Sequence, residues 1–354
     1  MKARTLHPLG LHRVMEPAGA TPQTARLLDN TPVAHANEIL CDVETLNIDS
    51  ASFHQIHEAC GGDGARIADH VAAIVRERGK HHNPVTGSGG MFVGRVAEVG
   101  ADLRGSIALR SGDRIASLVS LTLTPLYIEA IHRVDAATGR VWIKGKAILF
   151  ESGIWAKLPE DIEQEVALAV LDVAGAPAQI RRMVKPGSTV IVLGAAGKSG
   201  ILSCVQAKER AGARGRVIGI AAHAHTEGAR LLIDGGYVDE LIECDARDPL
   251  ALSAAVCGSA PGIADLVVNC VNVHGTELAS ILCAKDEGTV YFFSMATSFT
   301  AAALGAEGVG KDVTMIIGNG YAKDHAAIAL QTLRDHPAIH RYFSRKYAPS
   351  SLKV

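Results

Sequence analysis

A glycine turn, Gly194-Ala195-Ala196-Gly197-Lys198-Ser199-Gly200, has the residue types and spacing that hold the phosphates of a dinucleotide. Gly197 has no side chain to keep a pyrophosphate from the backbone N–H groups, and Gly200 lets the next helix lie close to the preceding strand. The free N–H groups and the positive end of the helix dipole then face the phosphates. The turn predicts NAD or NADP as cofactor and hydride transfer as chemistry. The expected binding residues are Gly194, Ala196, Gly197, Lys198, Ser199 and Gly200.

The choice between NAD and NADP rests on the end of the second strand, where an acid binds the ribose 2′-OH or an Arg accepts a 2′-phosphate. The expected acid is missing after Ile220-Ala221-Ala222. His223 and Arg230 are compatible with a phosphate, although ordinary surface positions explain them equally well. Asn272 and Ser294 follow the fourth and fifth strands and are expected near the nicotinamide. Cofactor preference therefore stays open.

The turn must sit in a sheet, and the second half of the chain has the pattern of one. Apolar strands alternate there with amphipathic helices, which is typical of a doubly wound parallel α/β sheet, the Rossmann fold. Gly212 is expected to end the helix after the turn. The six predicted strands are 190–193, 217–221, 241–243, 266–271, 290–294 and 313–317.

The first half of the chain has a different sequence pattern, in which short β-rich runs alternate with glycine turns, as in an antiparallel, barrel-like domain. Two helical insertions interrupt these runs. The helical segment 324–347 carries basic residues near its end and is expected to return to this first domain. The predicted organisation is a catalytic domain from residues 1–157 and 323–354 and a nucleotide-binding domain from residues 158–322.

Composition excludes several classes of function. The formal charge of −2 comes from 35 basic and 37 acidic residues without a block of like charge, which argues against nucleic acid and anionic membranes as partners. No apolar run has the length of a membrane span, and the N-terminus has no signal-peptide pattern, so a cytoplasmic location is expected. The seven cysteines include no C-x-x-C pair, which favours reduced thiols over disulfides or a cysteine-rich zinc site.

Three motifs resemble the medium-chain dehydrogenase/reductase superfamily, and the similarity covers nearly the whole chain. They are the entry into the first strand at 184–197, the turn Gly112-Asp113-Arg114-Ile115 and the strand 94–100. The resemblance implies a GroES-like, β-rich catalytic domain before the Rossmann domain. By analogy with this superfamily, whose members commonly pair edge strands, a homodimer is expected.

The zinc ligands of this superfamily are missing. Leu46-Asn47-Ile48-Asp49-Ser50 stands where zinc-type members have a Cys, and Gly87-Ser88-Gly89 stands where they have Gly-His-Glu. The four-Cys lobe of a structural zinc is also absent. Without thiolate and imidazole ligands, neither a catalytic nor a structural zinc is expected.

Four longer phrases, at 45–53, 83–90, 171–179 and 291–299, resemble the L-erythro-3,5-diaminohexanoate dehydrogenases. This resemblance implies an amine dehydrogenase of lysine fermentation, which converts 3,5-diaminohexanoate, NAD(P)+ and water to 5-amino-3-oxohexanoate, ammonium and NAD(P)H. Two alternatives stay open. One is a zinc-free NADPH-dependent reductase of quinones or enones, which needs no acidic pocket, and the other is a non-catalytic NADPH-sensing protein, which needs no base.

Amine oxidation requires a base, because a hydride leaves only from the neutral amine, and the later attack of water requires one too. Three carboxylates are candidates: Asp172 on an apolar helix where zinc-type relatives place a ligand, Asp49 in the loop that replaces the zinc loop, and Glu151 beside large apolar residues. Each has a structural alternative, which for Asp172 is bonding to backbone N–H groups and for Asp49 a helix cap before Ser52.

The diamino acid also needs polar partners. Asn47, Ser88 and His82 are the candidate substrate-binding residues, although turns and exposed loops explain them too. Tyr342 and Lys346 have the Tyr-x-x-x-Lys spacing of another reductase class, but they lie beyond the sixth strand, which favours a chance match.

Overall fold

The computed structural model describes residues 6–136, 138–258 and 262–348. The chain divides into two compact units, Met1–Leu158 and Pro159–Val354. Within the described residues, no helix has the length and apolarity to cross a membrane. All seven cysteines are free.

The first unit is built on antiparallel strands, as the sequence predicts. β1 (Val14–Glu16) and β2 (Leu27–Leu28) form a small sheet. The main sheet contains β3 (Glu38–Asn47), β4 (Met91–Val99), β5 (Arg114–Ser117), β6 (Leu126–Asp135), β7 (Arg140–Phe150) and β8 (Trp155–Lys157). Its spatial order is β6-β7-β3-β4-β5-β8, and each neighbouring pair is antiparallel.

Two helices, α1 (Ser50–Ala59) and α2 (Gly64–Arg78), lie between β3 and β4. Each begins at an aspartate whose carboxylate accepts N–H groups of the first turn, Asp49 for α1 and Asp63 for α2. α2 ends at Gly79, which has the left-handed backbone that closes a helix. Its apolar face packs into the core of the first unit and consists of Ile67, Val71, Ile74 and Val75.

The second unit has the predicted doubly wound sheet. Its strands are β9 (Thr189–Leu193), β10 (Arg216–Ala221), β11 (Glu240–Glu243), β12 (Ala264–Asn269), β13 (Ala284–Phe292) and β14 (Val313–Ile317). They are parallel in the order β11-β10-β9-β12-β13-β14. Because this is the strand order of a complete Rossmann fold, the predicted fold class is confirmed.

The helices of the second unit are α3 (Gln164–Leu171), α4 (Gly175–Met183), α5 (Lys198–Ala211), α6 (Glu227–Asp234), α7 (Pro249–Cys257), α8 (Glu277–Cys283), α9 (Phe299–Val309), α10 (His325–Asp335) and α11 (Pro337–Tyr347). The predicted helix after the glycine turn is α5, and Gly212 ends it as expected.

The terminal helices α10 and α11 belong to the second unit, whereas the sequence assigned residues 323–354 to the first domain. α10 packs on α3, α4 and α5, and α11 packs on α3 and α6. The reason is the apolar face of α10, where Ala329, Leu330 and Leu333 are buried. Its polar side is held by Arg334, which pairs with Asp161 just before α3.

A buried ion network fixes the N-terminal segment of the first unit. Arg13 is almost fully buried and donates to both carboxylate oxygens of Glu38, at 2.9 and 2.6 Å, and to the carbonyl oxygens of Thr31 and Val33. His12 lies 2.8 Å from the same carboxylate. Burial alone would raise the pKa of Glu38, but its bonds to Arg13, the His35 amide and His12 hold that pKa below the ordinary value.

We expect Glu38→Ala to lower the free energy of unfolding of the first unit by about 3–5 kcal/mol, because it leaves the buried Arg13 with only the Asp29 carboxylate, 3.7 Å away, as a compensating charge. Glu44→Ala on the same strand is the matched control. It breaks half-exposed ion pairs with Arg95 and Arg114 and should cost less than about 1 kcal/mol. Urea unfolding measures both values, and equal losses would contradict the role of the buried network.

The same network predicts a pH dependence. Because the pKa of Glu38 is lower in the folded than in the unfolded chain, its contribution is complete above the unfolded-state pKa. The contribution is lost as the pH falls through the folded-state pKa. Glu38→Ala should therefore flatten the acid limb of a plot of unfolding free energy against pH, and an unchanged limb would contradict this assignment.

Candidate cofactor and substrate sites

The glycine turn follows β9 directly and is bonded to the next strand. Gly194 has a φ of 75°, which turns the chain sharply, and its N–H and that of Ala195 both donate to the carbonyl oxygen of Ile220 on β10. Gly197 is exposed at the start of α5. The N–H groups at the first turn of α5 are therefore the candidate phosphate-binding position.

Gly200 is required by packing. A Cβ on Gly200 would lie 2.1 Å from the carbonyl oxygen of Gly194 and 2.7 Å from the Cα of Ala195. A Cβ on Gly197 would meet only the Gly194 oxygen, at 3.3 Å. The two glycines therefore have different roles, since Gly200 permits the close contact between strand and helix and Gly197 leaves room for a ligand.

Lys198, the first residue of α5, forms an ion pair with Asp172. Asp172 ends α3 and its side chain is 48% exposed, so the prediction of a buried base on an apolar helix is wrong. The six residues 166–171 of α3 are all buried, whereas Asp172 lies at the C-terminal end of the helix, where its carboxylate is accessible. Asp172 therefore sits beside the phosphate-binding position, with its charge compensated by Lys198.

The loop after β10 holds His223 and His225, Arg230 lies in the first turn of α6, and all three are exposed. Arg230 donates to the carbonyl oxygen of His225 at 3.0 Å. A carboxylate that sequence reasoning missed reaches this loop, since Glu243 accepts the N–H of Ala224 at 2.6 Å. Glu243 is the last residue of β11, the strand beside β10. The sequence could have indicated it, because it is an acid at the end of the predicted strand 241–243.

The carboxyl ends of β12 and β13 meet beyond the turn. The N–H groups of Phe293 and Ser294 both approach the carbonyl oxygen of Asn269, at 3.0 and 3.3 Å. The side chain of Asn269 is buried and donates to Thr276 and Ser280. Ser294 is thus fixed at the strand ends, whereas the predicted Asn272 is exposed in the following loop. Asn269 is the ordered amide that sequence reasoning missed.

In the first unit, Asp49 is bound through one oxygen. Its Oδ1 accepts the N–H of Ser52 at 3.0 Å and the hydroxyl of Ser88 at 2.8 Å. Its Oδ2 is buried without a hydrogen-bond partner in the described part of the chain. The helix-cap alternative is therefore correct for Oδ1, and Oδ2 stays uncommitted. Asn47 ends β3 two residues earlier and pairs with Met91 and Arg140.

The loop from Lys80 to Gly90 closes around Asp49. Asn83 holds it in place by donating to the Ser52 hydroxyl at 3.0 Å and to Gln55 at 2.9 Å. His81 is fully buried, and neither of its ring nitrogens has a hydrogen-bond partner among the described residues. Burial lowers the pKa of His81 to about 4 against the opposing effect of the Asp49 carboxylate, so the ring is neutral at pH 7.

His82, the predicted substrate-binding residue beside His81, is half-buried, and its pKa is lowered mainly by burial and further by the charges of Lys80 and Arg78. The alternative explanation, that these are ordinary exposed histidines of a loop, is therefore wrong for His81, which is buried. It is correct only in part for His82, which is half-buried. The sequence indicated the histidine pair but gave no signal that the first ring is the buried one.

Glu151 lies away from Asp49. It follows Phe150, which pairs with Glu38 at one end of β3, whereas Asp49 follows Asn47, which pairs with Arg140 at the other end. The strands put nine residue steps, roughly 30 Å, between those ends. Glu151 is exposed in the turn after β7. The prediction that it joins the other carboxylates is wrong, because it required the strand register, which the sequence does not specify.

One group of side chains in the described residues has the spacing of a metal site, namely His12, His35 and Glu38. Both carboxylate oxygens of Glu38 already accept hydrogen bonds from Arg13. Because the guanidinium supplies a compensating positive charge, the ion network accounts for the close approach of His12 and Glu38.

The Rossmann strand order, the glycine turn and the antiparallel first unit define the fold of a dinucleotide-dependent oxidoreductase. Solved structures support that fold. A mycobacterial protein in complex with NADPH has a TM-score of 0.54 at 18% identity, covering 86% of this chain and 81% of that one. The quinone oxidoreductase from Coxiella burnetii has a TM-score of 0.52 at 17% identity, with the same coverage.

Sequence relatives narrow this class. Residues 12–159 match the family model described as the L-erythro-3,5-diaminohexanoate dehydrogenase N-terminal domain. The L-erythro-3,5-diaminohexanoate dehydrogenase of Acetoanaerobium sticklandii is 53% identical over 96% of this chain and 98% of that protein. The enzyme of the same name from Fusobacterium nucleatum is 51% identical with the same coverage. The chain belongs to the L-erythro-3,5-diaminohexanoate dehydrogenase family.

The different roles of the two glycines predict different mutant behaviour. Gly200→Ala should lower the free energy of unfolding by roughly 1–3 kcal/mol and weaken NADH binding, because α5 must move off β9. Gly197→Ala, whose backbone tolerates a side chain, should keep the wild-type stability and weaken only NADH binding. Thermal unfolding and NADH fluorescence titration test the pair. A Gly200→Ala protein with wild-type stability would contradict the packing role.

Proposed function

We propose that the chain catalyses the NAD(P)-dependent oxidative deamination of L-erythro-3,5-diaminohexanoate to 5-amino-3-oxohexanoate in lysine fermentation. Full-length similarity to enzymes of that name supports the substrate. The geometry that supports the chemistry is the buried, uncommitted Oδ2 of Asp49. The quinone reductase and sensor alternatives lack comparable support, because the quinone reductase neighbours share the fold at low identity and a sensor needs no such oxygen.

The reaction needs a proton acceptor before oxidation. The substrate ammonium and NAD(P)+ with water give the ketone, ammonium, NAD(P)H and one proton, so the amine nitrogen must lose a proton before its carbon loses a hydride. NAD(P)+, when bound, supplies the hydride acceptor. We assign the proton to Oδ2 of Asp49, whose other oxygen is held by Ser52 and Ser88. After the hydride has left, Oδ2 releases this proton to solvent, takes a second proton from the water that attacks the iminium carbon, and passes it to the nitrogen that departs.

The remaining site residues are proposed as follows. Asn47 and His82 are proposed to bind the polar groups of the diamino acid, and Ser88 to hold Asp49. Asp172 and Glu151 are not the base in this proposal, since Asp172 is paired with Lys198 and Glu151 lies at the far end of the sheet. Zinc is not required in this proposal, because the segments that contain Asp49 and Ser88 lack the Cys and His ligands that zinc-type relatives have there. The reaction as written uses either NAD or NADP.

A homodimer is part of the proposal. β14 is an edge strand of the parallel sheet, and Ile317 on it is 66% exposed. Phe299 on α9, the helix that precedes β14, is 72% exposed. An edge strand beside large exposed apolar side chains is a surface on which a second copy can add its own strand. We propose a cytoplasmic location.

The activity test uses purified protein with NAD+ or NADP+ and L-erythro-3,5-diaminohexanoate, and follows reduced cofactor and ammonium together. Equal release of both supports the proposed function, and failure to release ammonium from the authentic substrate with either cofactor overturns it.

The base is tested by Asp49→Asn, which should lower kcat by roughly a thousandfold because the amide cannot accept the proton. Asp63→Asn is the matched control. Asp63 caps α2 as Asp49 caps α1 but is exposed, so the control makes the same carboxylate-to-amide change at a helix cap without removing a base. Ser88→Ala should have an intermediate effect. Near wild-type turnover by Asp49→Asn with unchanged cofactor binding would eliminate Asp49 as the base.

A further inference from the structure

The Tyr342 and Lys346 pair, one turn apart on α11, lies against the nucleotide-binding turn. The Lys346 ammonium donates to the Tyr342 hydroxyl at 3.1 Å. That hydroxyl reaches Gly228, the second residue of α6, since a Cβ built on Gly228 would lie 3.0 Å from it. The same Cβ would lie 2.5 Å from the carbonyl oxygen of Ala196. The side chains of α11 therefore reach the start of α6, where α6 packs on the glycine turn.

A tyrosine ring connects Lys346 with the start of α5. The Lys346 nitrogen lies 5.7 Å from the centroid of the Tyr347 ring, and the Lys198 nitrogen lies 6.0 Å from it. Both distances are within cation–π range. Two ammonium groups thus share one aromatic ring between the starts of α5 and α6.

The charges around this ring do not cancel. Lys198 is paired with Asp172, and Arg345 is paired with Glu227. Lys346 has no carboxylate within ion-pair distance in the part of the chain that the structure describes, and its ammonium contacts the Tyr342 hydroxyl and the aromatic rings. One positive charge therefore remains at the helix starts, where it attracts an anionic group.

We propose that Lys346 binds a phosphate group of the dinucleotide cofactor and that Tyr342 positions its ammonium. This inference rests on cofactor binding at the glycine turn and not on the identity of the substrate. The neighbours of Lys346 are the starts of α5 and α6 rather than the strand ends at Asn269 and Ser294, which assigns the pair to phosphate binding and not to proton transfer. The phosphate is either the pyrophosphate or the 2′-phosphate of NADP, since one cation fits both.

The test measures binding of ADP and 2′,5′-ADP to the full-length protein by competition with NADH fluorescence. Lys346→Gln should weaken binding by about tenfold, because it removes one charge-assisted hydrogen bond while keeping a polar side chain. Arg341→Gln is the matched control, since Arg341 is an exposed cation in the middle of α11. Tyr342→Phe should reproduce part of the loss, and Lys346→Arg should retain most of the affinity.

The outcomes separate the two phosphates. An equal loss for both probes assigns Lys346 to the phosphate groups that they share, and a loss for 2′,5′-ADP alone assigns it to the 2′-phosphate. Unchanged binding of both probes by folded Lys346→Gln, or an equal loss in Arg341→Gln, overturns the proposal. If Lys346→Gln does not fold, weakened binding by Tyr342→Phe supports the proposal and wild-type binding overturns it. A protein that binds both probes but releases no ammonium would contradict the proposed function and leave this inference intact.

Discussion

The close approach of Gly200 to the carbonyl oxygen of Gly194 is the contact on which the nucleotide-binding unit depends. The positive φ of Gly194 turns the chain at the end of β9, and two N–H groups of the turn are bonded to Ile220 on β10. The turn is therefore attached to two central strands. Because Gly200 lies against it without a side chain, α5 begins immediately, and its free N–H groups open at Gly197.

This constraint also gathers residues that are distant in the sequence. Once the start of α5 is fixed, Lys198 meets Asp172 at the end of α3, and Ala196 meets Gly228 at the start of α6. α11 then packs on α3 and α6 and brings Tyr342 and Tyr347 to the same place. Three helix ends thus share one small region, and the charges there are compensated in pairs except at Lys346.

The sequence predicted the elements of this unit better than their contacts. Buried parallel strands are continuous apolar runs, so all six were found, and the glycines at 194, 200 and 212 marked where the chain turns. The amphipathic pattern of α10 showed that one face is buried but not what covers it, which is why the terminal segment was assigned to the wrong unit. The sequence could not show that Glu151 lies far from Asp49 for a related reason, since that distance follows from the pairing register of β3 with β7.

The two aspartates show why residue type and neighbours alone could not choose the base. Asp172 lies among apolar residues in the sequence, yet it ends a helix, turns outward and is neutralised by Lys198. Asp49 lies in a polar loop, yet the loop from Lys80 to Gly90 folds over it and buries its second oxygen beside a neutral imidazole. A buried carboxylate oxygen without a hydrogen bond is costly, and the cost is reduced when a substrate ammonium donates to it. The proposed role of Asp49 as the base therefore rests on its uncommitted oxygen and not on apolar surroundings.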